Sequence, residues 1–387
     1  MLTGEKMKYL IEDFFDIFQC AGSACPDTCC AVWKINVDSE TAKAYRAVPG
    51  EMGEKLRSHI SFDEDDAHII LREDGTCPFW TDEHLCEIYQ KLGEEMQCLV
   101  CKTYPRIVEQ HGDVFFTSLT CSCPEVARML IERTEPLQFI EWDDGDDWSE
   151  TPGGGQKPEE AEQALFHILM PSLLLSVRIL QERRYPLSVR LRLLLLFTDT
   201  LQQRLDEGGD IADILEHFSS PERYDGYAKV LSGMPQNIPA RISAFNVCLE
   251  NSEKLAGDYH HSSLIRLLAS LKADFRSPDG FSILERPEYD IQYEHYAVYK
   301  MYLFYMRALK TRKPMHEVAV LIYTLNLLKC IAVMRLTPDT YLLPQSEQIR
   351  ILREVSANFD HNSGHAAMLY NIYGEKAGDI SFLTALT

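Results

Sequence analysis

Four cysteines, Cys20, Cys25, Cys29 and Cys30, fall within eleven positions of the stretch Phe18–Ile35, FQCAGSACPDTCCAVWKI. Cys77, Cys86, Cys98, Cys101, Cys121 and Cys123 follow, so ten of the twelve cysteines lie in the first third of the chain. Thiols this crowded act together, on a metal or on one another. The amino-terminal segment MLTGEKMKYLIEDFFDIF has no basic leader, unbroken apolar run or small-residue cleavage site, so it does not read as a signal peptide. A cytoplasmic chain is expected, and there thiols stay reduced and bind metal more often than they form disulfides. Cys25 and Cys29 are separated by three residues and Cys98 and Cys101 by two. Short separations of this kind converge on one centre. Eight to ten thiols exceed the needs of one tetrahedral zinc. An iron–sulfur cluster, zinc, or a cluster beside a structural zinc all remain open on spacing alone. Cys248 and Cys330 stand alone on helical faces and read as core residues.

The net charge of -21 and the pI near 5.0 weigh against nucleic acid and anionic membranes as partners, because phosphate binding needs a basic footprint. The apolar segments Leu173–Leu180 and Leu191–Phe197 are interrupted or flanked by Arg178, Arg183, Arg184, Arg190 and Arg192, so neither reads as a membrane span. The 387 residues, 45% hydrophobic, are enough for two domains.

Apolar spacing predicts a short helix over 8–19, a strand around Trp33–Val37, a helix from Ser39 to about Arg57, strands at His68–Leu71 and Val114–Leu119, and a helix from Pro124 to about Arg133. The run 143–160 is acidic, rich in Gly and Pro and free of aliphatics, as in a linker. Beyond it the period is helical throughout: 160–183, 187–205, 211–218, 239–255, 262–275, 289–309, 316–334 and 345–359. The expected fold is mainly α. A cysteine-rich metal-binding domain with minor β spans 1–142, and an all-helical domain spans 161–387. Tyr289, Tyr293, Tyr296, Tyr299, Tyr302 and Tyr305 form a stripe whose ordinary meaning is helix packing.

Two routes to S-adenosylmethionine are absent. No three cysteines carry the three-then-two spacing of clusters that cleave it, and Gly153–Gly155 has no preceding strand to make a dinucleotide-type turn. The segment Phe18-x-Cys20-x-Gly22-x-x-Cys25-x-Asp27-Thr28-Cys29-Cys30-x-x-Trp33-x-Ile35 nevertheless resembles the opening of the flagellin lysine-N-methylase family. The resemblance continues at Cys77-Pro78-Phe79, Leu85-Cys86-x-Ile88-Tyr89, Cys101-x-x-Tyr104-Pro105-Arg106 and Ser118-Leu119-x-Cys121-x-Cys123-Pro124-Glu125, and returns at Glu294-His295-Tyr296 and Asp360-His361. It implies methyl transfer from S-adenosylmethionine to the ε-amine of flagellin lysines, with a [4Fe-4S] cluster in the site. The metal-binding cysteines it implies are Cys20, Cys25, Cys29, Cys30, Cys77, Cys86, Cys101 and Cys123; Cys98 and Cys121 lie outside that set.

Methyl transfer needs an amine without its proton and an in-line approach. Among residues near the cysteines, Asp27 and Tyr104 are the candidate catalytic groups, and Tyr89 and Arg106 the candidate cofactor contacts. An Asp between cysteines more often caps a turn, so Asp27 has that reading too, and Arg106 reads equally as the partner of Glu87 or Glu125. Two other function classes fit the same thiols: a non-enzymatic iron or zinc chelator, and an interaction scaffold braced by zinc.

Overall fold

The apolar run Tyr9-Leu10-Ile11, expected in a helix, is a strand. A computed structural model describes residues 8–31, 33–63, 66–111, 114–142, 160–256, 280–336, 342–360, 363–374 and 376–387. Its strands are β1 (Lys8–Glu12), β2 (Ile60–Ser61), β3 (His68–Ile69), β4 (Arg106–His111), β5 (Val114–Leu119) and β6 (Phe139–Trp142). β1 runs parallel to β5 and antiparallel to β6, with Leu10 opposite Phe116 and Glu141, and the sheet order is β4-β5-β1-β6. A strand buried on both faces shows no alternation, so a three-residue apolar run does not separate strand from helix. Tyr9, Leu10, Ile11 and Glu12 are all buried. β5 matches its expected bounds, whereas the strand expected at Trp33–Val37 is reduced to one isolated bridge, Asn36 to His68.

The helix expected from Ser39 to Arg57 is two helices, α1 (Ser39–Ala47) and α2 (Gly50–His59). Pro49 drives Val48 out of the helical region, to ψ 124°, and Gly50 turns the chain with φ +70°. Asp38 caps α1 through Thr41 N (2.9 Å), and its second oxygen accepts from Leu99 N (2.9 Å) at the start of α4 (Leu99–Thr103). Between them lies α3 (Glu87–Leu92); α5 (Pro124–Glu132) opens with Pro124 in its first turn, as expected.

The helical part begins with α6 (Glu160–Leu180) and α7 (Leu187–Asp206). Helices Ile238–Ala256, Pro287–Phe304, Pro314–Arg335 and Gln345–Phe359 follow close to their expected bounds. Pro221–Leu231, Ser363–Gly374 and Ile380–Leu386 are further helices that the period did not separate. The linker at 143–159 and the helix at 262–275 lie outside the described residues. The fold is mainly α with a small amino-terminal sheet. α6 and Pro314–Arg335 are long and apolar enough to cross a membrane, but the second is buried almost throughout inside the bundle. A helix that is apolar all round serves as a central core element.

The buried core does not divide where the chain does. The four-stranded sheet and α5 share one hydrophobic cluster with the bundle. A second, smaller cluster holds Ile35, Val37, Tyr45, Leu56, Phe79 and Ile88 together with Cys77 and Cys98. The tyrosine stripe joins sheet to bundle. The Tyr302 hydroxyl donates to Leu10 O and accepts from Thr117 N (3.1 Å), and the Tyr299 hydroxyl accepts from Cys121 N (3.0 Å). Tyr305 bonds Ser172 at 2.9 Å, and Tyr289 accepts from Leu343 N at 3.3 Å. These four phenols each place the hydroxyl on a buried polar group, whereas the buried Tyr296 hydroxyl has no hydrogen-bond partner among the described residues. Arg183 forks the fully buried Glu294, which Arg190 also holds.

Candidate functional site

The cysteines gather in two neighbourhoods. Cys20, Cys25, Cys29 and Cys123 form the first. Burial raises the Cys25 thiol pKa, and the negative potentials of Cys20 and Cys29 add to it. Cys123 is pushed up to about 11 by burial, with Cys25 and Cys20 again adding. Cys77, Cys86, Cys98 and Cys101 form the second. Cys77 is pushed up to about 12 by burial, with Cys86 and Cys98 adding. Cys98 and Cys101 share a proton at 3.3 Å, which lowers the Cys98 pKa and raises that of Cys101. Cys30 bridges the two sets. Its thiol hydrogen-bonds Cys29 and raises the Cys29 pKa, while its carbonyl accepts from Cys77 N at 2.6 Å.

The donor chemistry fits a metal that prefers thiolate. Two thiolates on one tetrahedral zinc, each about 2.3 Å from the ion, stand roughly 3.8 Å apart, and Cys98 and Cys101 approach that spacing. Among the described residues, however, no three His, Cys, Asp or Glu side chains surround a common point. Cys98, outside the set that the family resemblance implies, sits with Cys101. Cys121 is fully buried, and its thiol and backbone N–H both meet the Tyr299 hydroxyl. Cys248 and Cys330 are buried in the bundle.

A cavity of about 120 Å³ lies beside the first neighbourhood. The loop after Cys25 supplies Thr28, Cys29, Ala31 and Trp33. α4 supplies Val100 and Thr103, the segment leading into β4 supplies Tyr104 to Ile107, and the turn after β5 supplies Thr120 and Ser122. Arg353 and Ala357, from helix Gln345–Phe359, close the far wall. That helix packs on α5, which holds it against the cysteine loops.

The Trp33 and Tyr104 rings stack at 6.1 Å, and the Trp33 indole donates to Cys29 O at 2.7 Å. The Tyr104 hydroxyl bonds Ser122 at 3.1 Å, and Ser122 bonds Thr120 at 3.1 Å. Burial raises the Tyr104 pKa well above its ordinary value, so the phenol stays neutral. Asp27 accepts from Thr28 N at 2.8 Å, as a turn cap does, and its other oxygen meets Arg353 Nη1 at 2.8 Å. Arg106 lines the cavity with its guanidinium 5.8 and 5.6 Å from the Phe15 and Phe18 ring centres. Neither expected ion pair forms, because Glu87 is taken by Lys55 and Lys91, and Glu125 by Arg128.

Three of the four non-cysteine residues named from sequence therefore meet at one place: Tyr104 and Arg106 in the wall, and Asp27 just behind it. Tyr89 does not join them; it is 52% exposed on α3 and lines no part of the cavity. Thr28, Trp33, Val100, Tyr104 and Ser122 come together although far apart in sequence. Arg353 carries no local signal, since an arginine beside Glu354 on an amphipathic helix reads as surface.

A family model described as the FliB lysine N-methylase C-terminal domain matches residues 174–386. Lysine-N-methylases of Salmonella typhimurium and Salmonella choleraesuis are each 28% identical to this chain over 142 residues, 33% of this chain and 33% of theirs. A flagellar biosynthetic protein, FliU, from Salmonella muenchen is 29% identical over 141 residues, 33% of this chain and 79% of that protein. The chain thus matches about a third of the length of the first two relatives. No solved structure matches it. With more than half of its length covered by the family model, the chain belongs to the FliB lysine N-methylase family.

Proposed function

We propose that this protein transfers a methyl group from S-adenosylmethionine to the ε-amine of lysines in flagellin, in the cytoplasm, at the cavity between Trp33, Tyr104 and Arg353. The family match and the printed names of the relatives, lysine-N-methylase and flagellar biosynthetic protein, support the reaction class and the substrate. The cavity supports the place. It is the junction where the cysteine loops meet a helix of the family-matched domain.

A volume of about 120 Å³ is below the roughly 300–1,000 Å³ that encloses a whole drug-sized molecule. It suits one arm of the methyl donor, with the nucleoside and the lysine outside. A sulfonium is attracted to aromatic faces as an ammonium is, and Trp33 and Tyr104 offer such faces. The same rings exclude water from the methyl, and low polarity there favours the neutral form of an arriving lysine. Asp27, held by Thr28 N and Arg353, is the carboxylate adjoining this wall and the candidate proton acceptor. Neutral Tyr104 orients through Ser122.

The thiols of Cys20, Cys25, Cys29 and Cys123, and those of Cys77, Cys86, Cys98 and Cys101 with Cys30, would hold the metal, as a [4Fe-4S] cluster, zinc, or both. A bound iron–sulfur centre would supply a Lewis-acidic iron beside the Cys29 wall. A zinc-braced scaffold without methyl transfer is the second reading, because Cys98 and Cys101, 3.3 Å apart, come near the spacing of two thiolates on one zinc.

The experiment is anaerobic purification followed by incubation with methyl-labelled S-adenosylmethionine and flagellin, with Cys29→Ser and Trp33→Ala alongside. Label on flagellin lysines that falls at least tenfold in both variants is the expected result. A colourless zinc protein that transfers no label would establish the scaffold instead.

A further inference from the structure

We infer that Arg353 is the carboxylate anchor of this cavity. It binds the α-carboxylate of the methyl donor's amino-acid arm, and Asp27 holds it poised for that contact. The inference rests on the cavity being the donor site, as proposed above.

Arg353 is 8% exposed and lines the cavity. Its guanidinium has two edges. Nη1 meets Asp27 Oδ2 at 2.8 Å, while Nε is buried with no hydrogen-bond partner among the described residues. A buried guanidinium donor without an acceptor is unfavourable unless something outside the chain completes it. The fork geometry of arginine matches a carboxylate, which accepts from two N–H groups at once.

The lining itself selects the sign of charge. Arg106 and Arg353 are its charged side chains, Thr28, Thr103, Thr120 and Ser122 offer hydroxyls, and no carboxylate lines it. Such a cavity repels a lysine ammonium and attracts an anion. The carboxylate of the zwitterionic arm therefore lies at the guanidinium groups, with its α-ammonium and the sulfonium toward the Trp33 and Tyr104 faces, and the lysine approaches from outside. Asp27 neutralises part of the Arg353 charge and fixes the plane of the guanidinium. It is a positioning residue in this role. The pair also joins the cysteine loop to helix Gln345–Phe359, so occupying the cavity couples the two.

The test uses the full-length, anaerobically purified protein and calorimetric binding of two probes: S-adenosylhomocysteine and decarboxylated S-adenosylmethionine, which lacks the carboxylate. The wild type is expected to bind the first about 10–100-fold more tightly than its Arg353→Gln variant does. The decarboxylated probe should bind both proteins alike, which also shows that the variant is folded. Arg353→Lys should recover part of the loss. Asp27→Asn, which keeps an acceptor oxygen for Nη1 but removes the charge that fixes it, should weaken S-adenosylhomocysteine binding less than Arg353→Gln does and leave the decarboxylated probe unaffected. A purely structural ion pair makes the opposite prediction, with Asp27→Asn and Arg353→Gln lowering binding of both probes equally, and that result overturns the assignment. Equal affinity of Arg353→Gln and wild type for S-adenosylhomocysteine overturns it too, while leaving the donor site standing. If an acidic peptide displaces S-adenosylhomocysteine from the wild type and not from Arg353→Gln, the anchor belongs to the protein substrate and the assignment to the donor is wrong. Binding of neither nucleoside probe to the wild type would remove the donor site itself.

Discussion

Glu294 offers a quantitative test of whether the Glu294-His295-Tyr296 segment is catalytic or structural. Its carboxylate is fully buried. Arg183 Nε donates to both oxygens at 3.0 Å, Arg183 Nη2 to one at 2.8 Å, and Arg190 Nη1 to the other at 2.5 Å. Burial pulls the neighbouring His295 pKa down to about 4, so at neutral pH its uncharged ring accepts from Arg183 Nη2 at 3.1 Å. The Glu294 carboxylate and the His295 ring are thus spent inside the bundle, while the buried Tyr296 hydroxyl has no hydrogen-bond partner among the described residues.

Glu294→Ala deletes four charge-assisted bonds, but their energies do not simply add. The Arg183 side chain is 30% exposed and turns to water, whereas Arg190 is 3% exposed and is left as a buried charge. Breaking a buried pair on one side costs about 3–5 kcal/mol. At about 2.1 cal/mol/K per residue, the unfolding entropy of this chain is roughly 0.8 kcal/mol/K, so Tm falls by about 4–6 °C. Circular-dichroism melts at pH 7 measure this. Label transfer at 25 °C should persist in proportion to the folded fraction. A melt within about 1 °C of wild type would refute the energetic reasoning. Full loss of methyl transfer by Glu294→Gln at an unchanged Tm would refute the structural assignment.

Glu12, buried beside Ser118 (2.5 Å), has its pKa raised by burial to about 8. The unfolded chain ionises this group from pH 4.5 upward while the native state keeps the proton, so stability is lost as pH rises from 4.5 to 8, by at most about 1.4 kcal/mol per pH unit. Glu12→Gln should flatten that slope in urea titrations at pH 5 to 8; parallel slopes for the two proteins would count against a protonated Glu12. Tyr302→Phe strands Leu10 O and Thr117 N in the sheet and should cost about 2–4 kcal/mol, read as a lower urea midpoint; no change would mean water replaces the hydroxyl. Cys98→Ser should lower bound metal as much as Cys101→Ser, measured by elemental analysis, while Cys121→Ser leaves it unchanged; metal loss from Cys121→Ser alone would reverse the assignment.

Much of this molecule is legible in the linear text because the relevant physics is local. Helical period with proline punctuation locates Leu187–Asp206, Pro314–Arg335 and Gln345–Phe359, since each helix hides a stripe or a whole surface within its own span. The crowding of Cys20 to Cys30, and the family motif around Tyr104 and Arg106, point to the right region for the cavity. Tyr9-Leu10-Ile11 is a strand rather than the expected helix, because only its neighbours in space, β5 and β6, decide between the two.

The same limit governs the site. Tyr89 and Tyr104 look alike in sequence, yet α3 turns one to solvent while Trp33 and Ser122 enclose the other. Arg353 lies more than 300 positions from Asp27 and has no motif around it. It reaches the cavity wall only because α5 packs on helix Gln345–Phe359 and brings its guanidinium to the cysteine loop. Composition and period set which segments bury apolar surface. Which polar group is left facing an unfilled cavity depends on contacts between segments, and no local pattern encodes those.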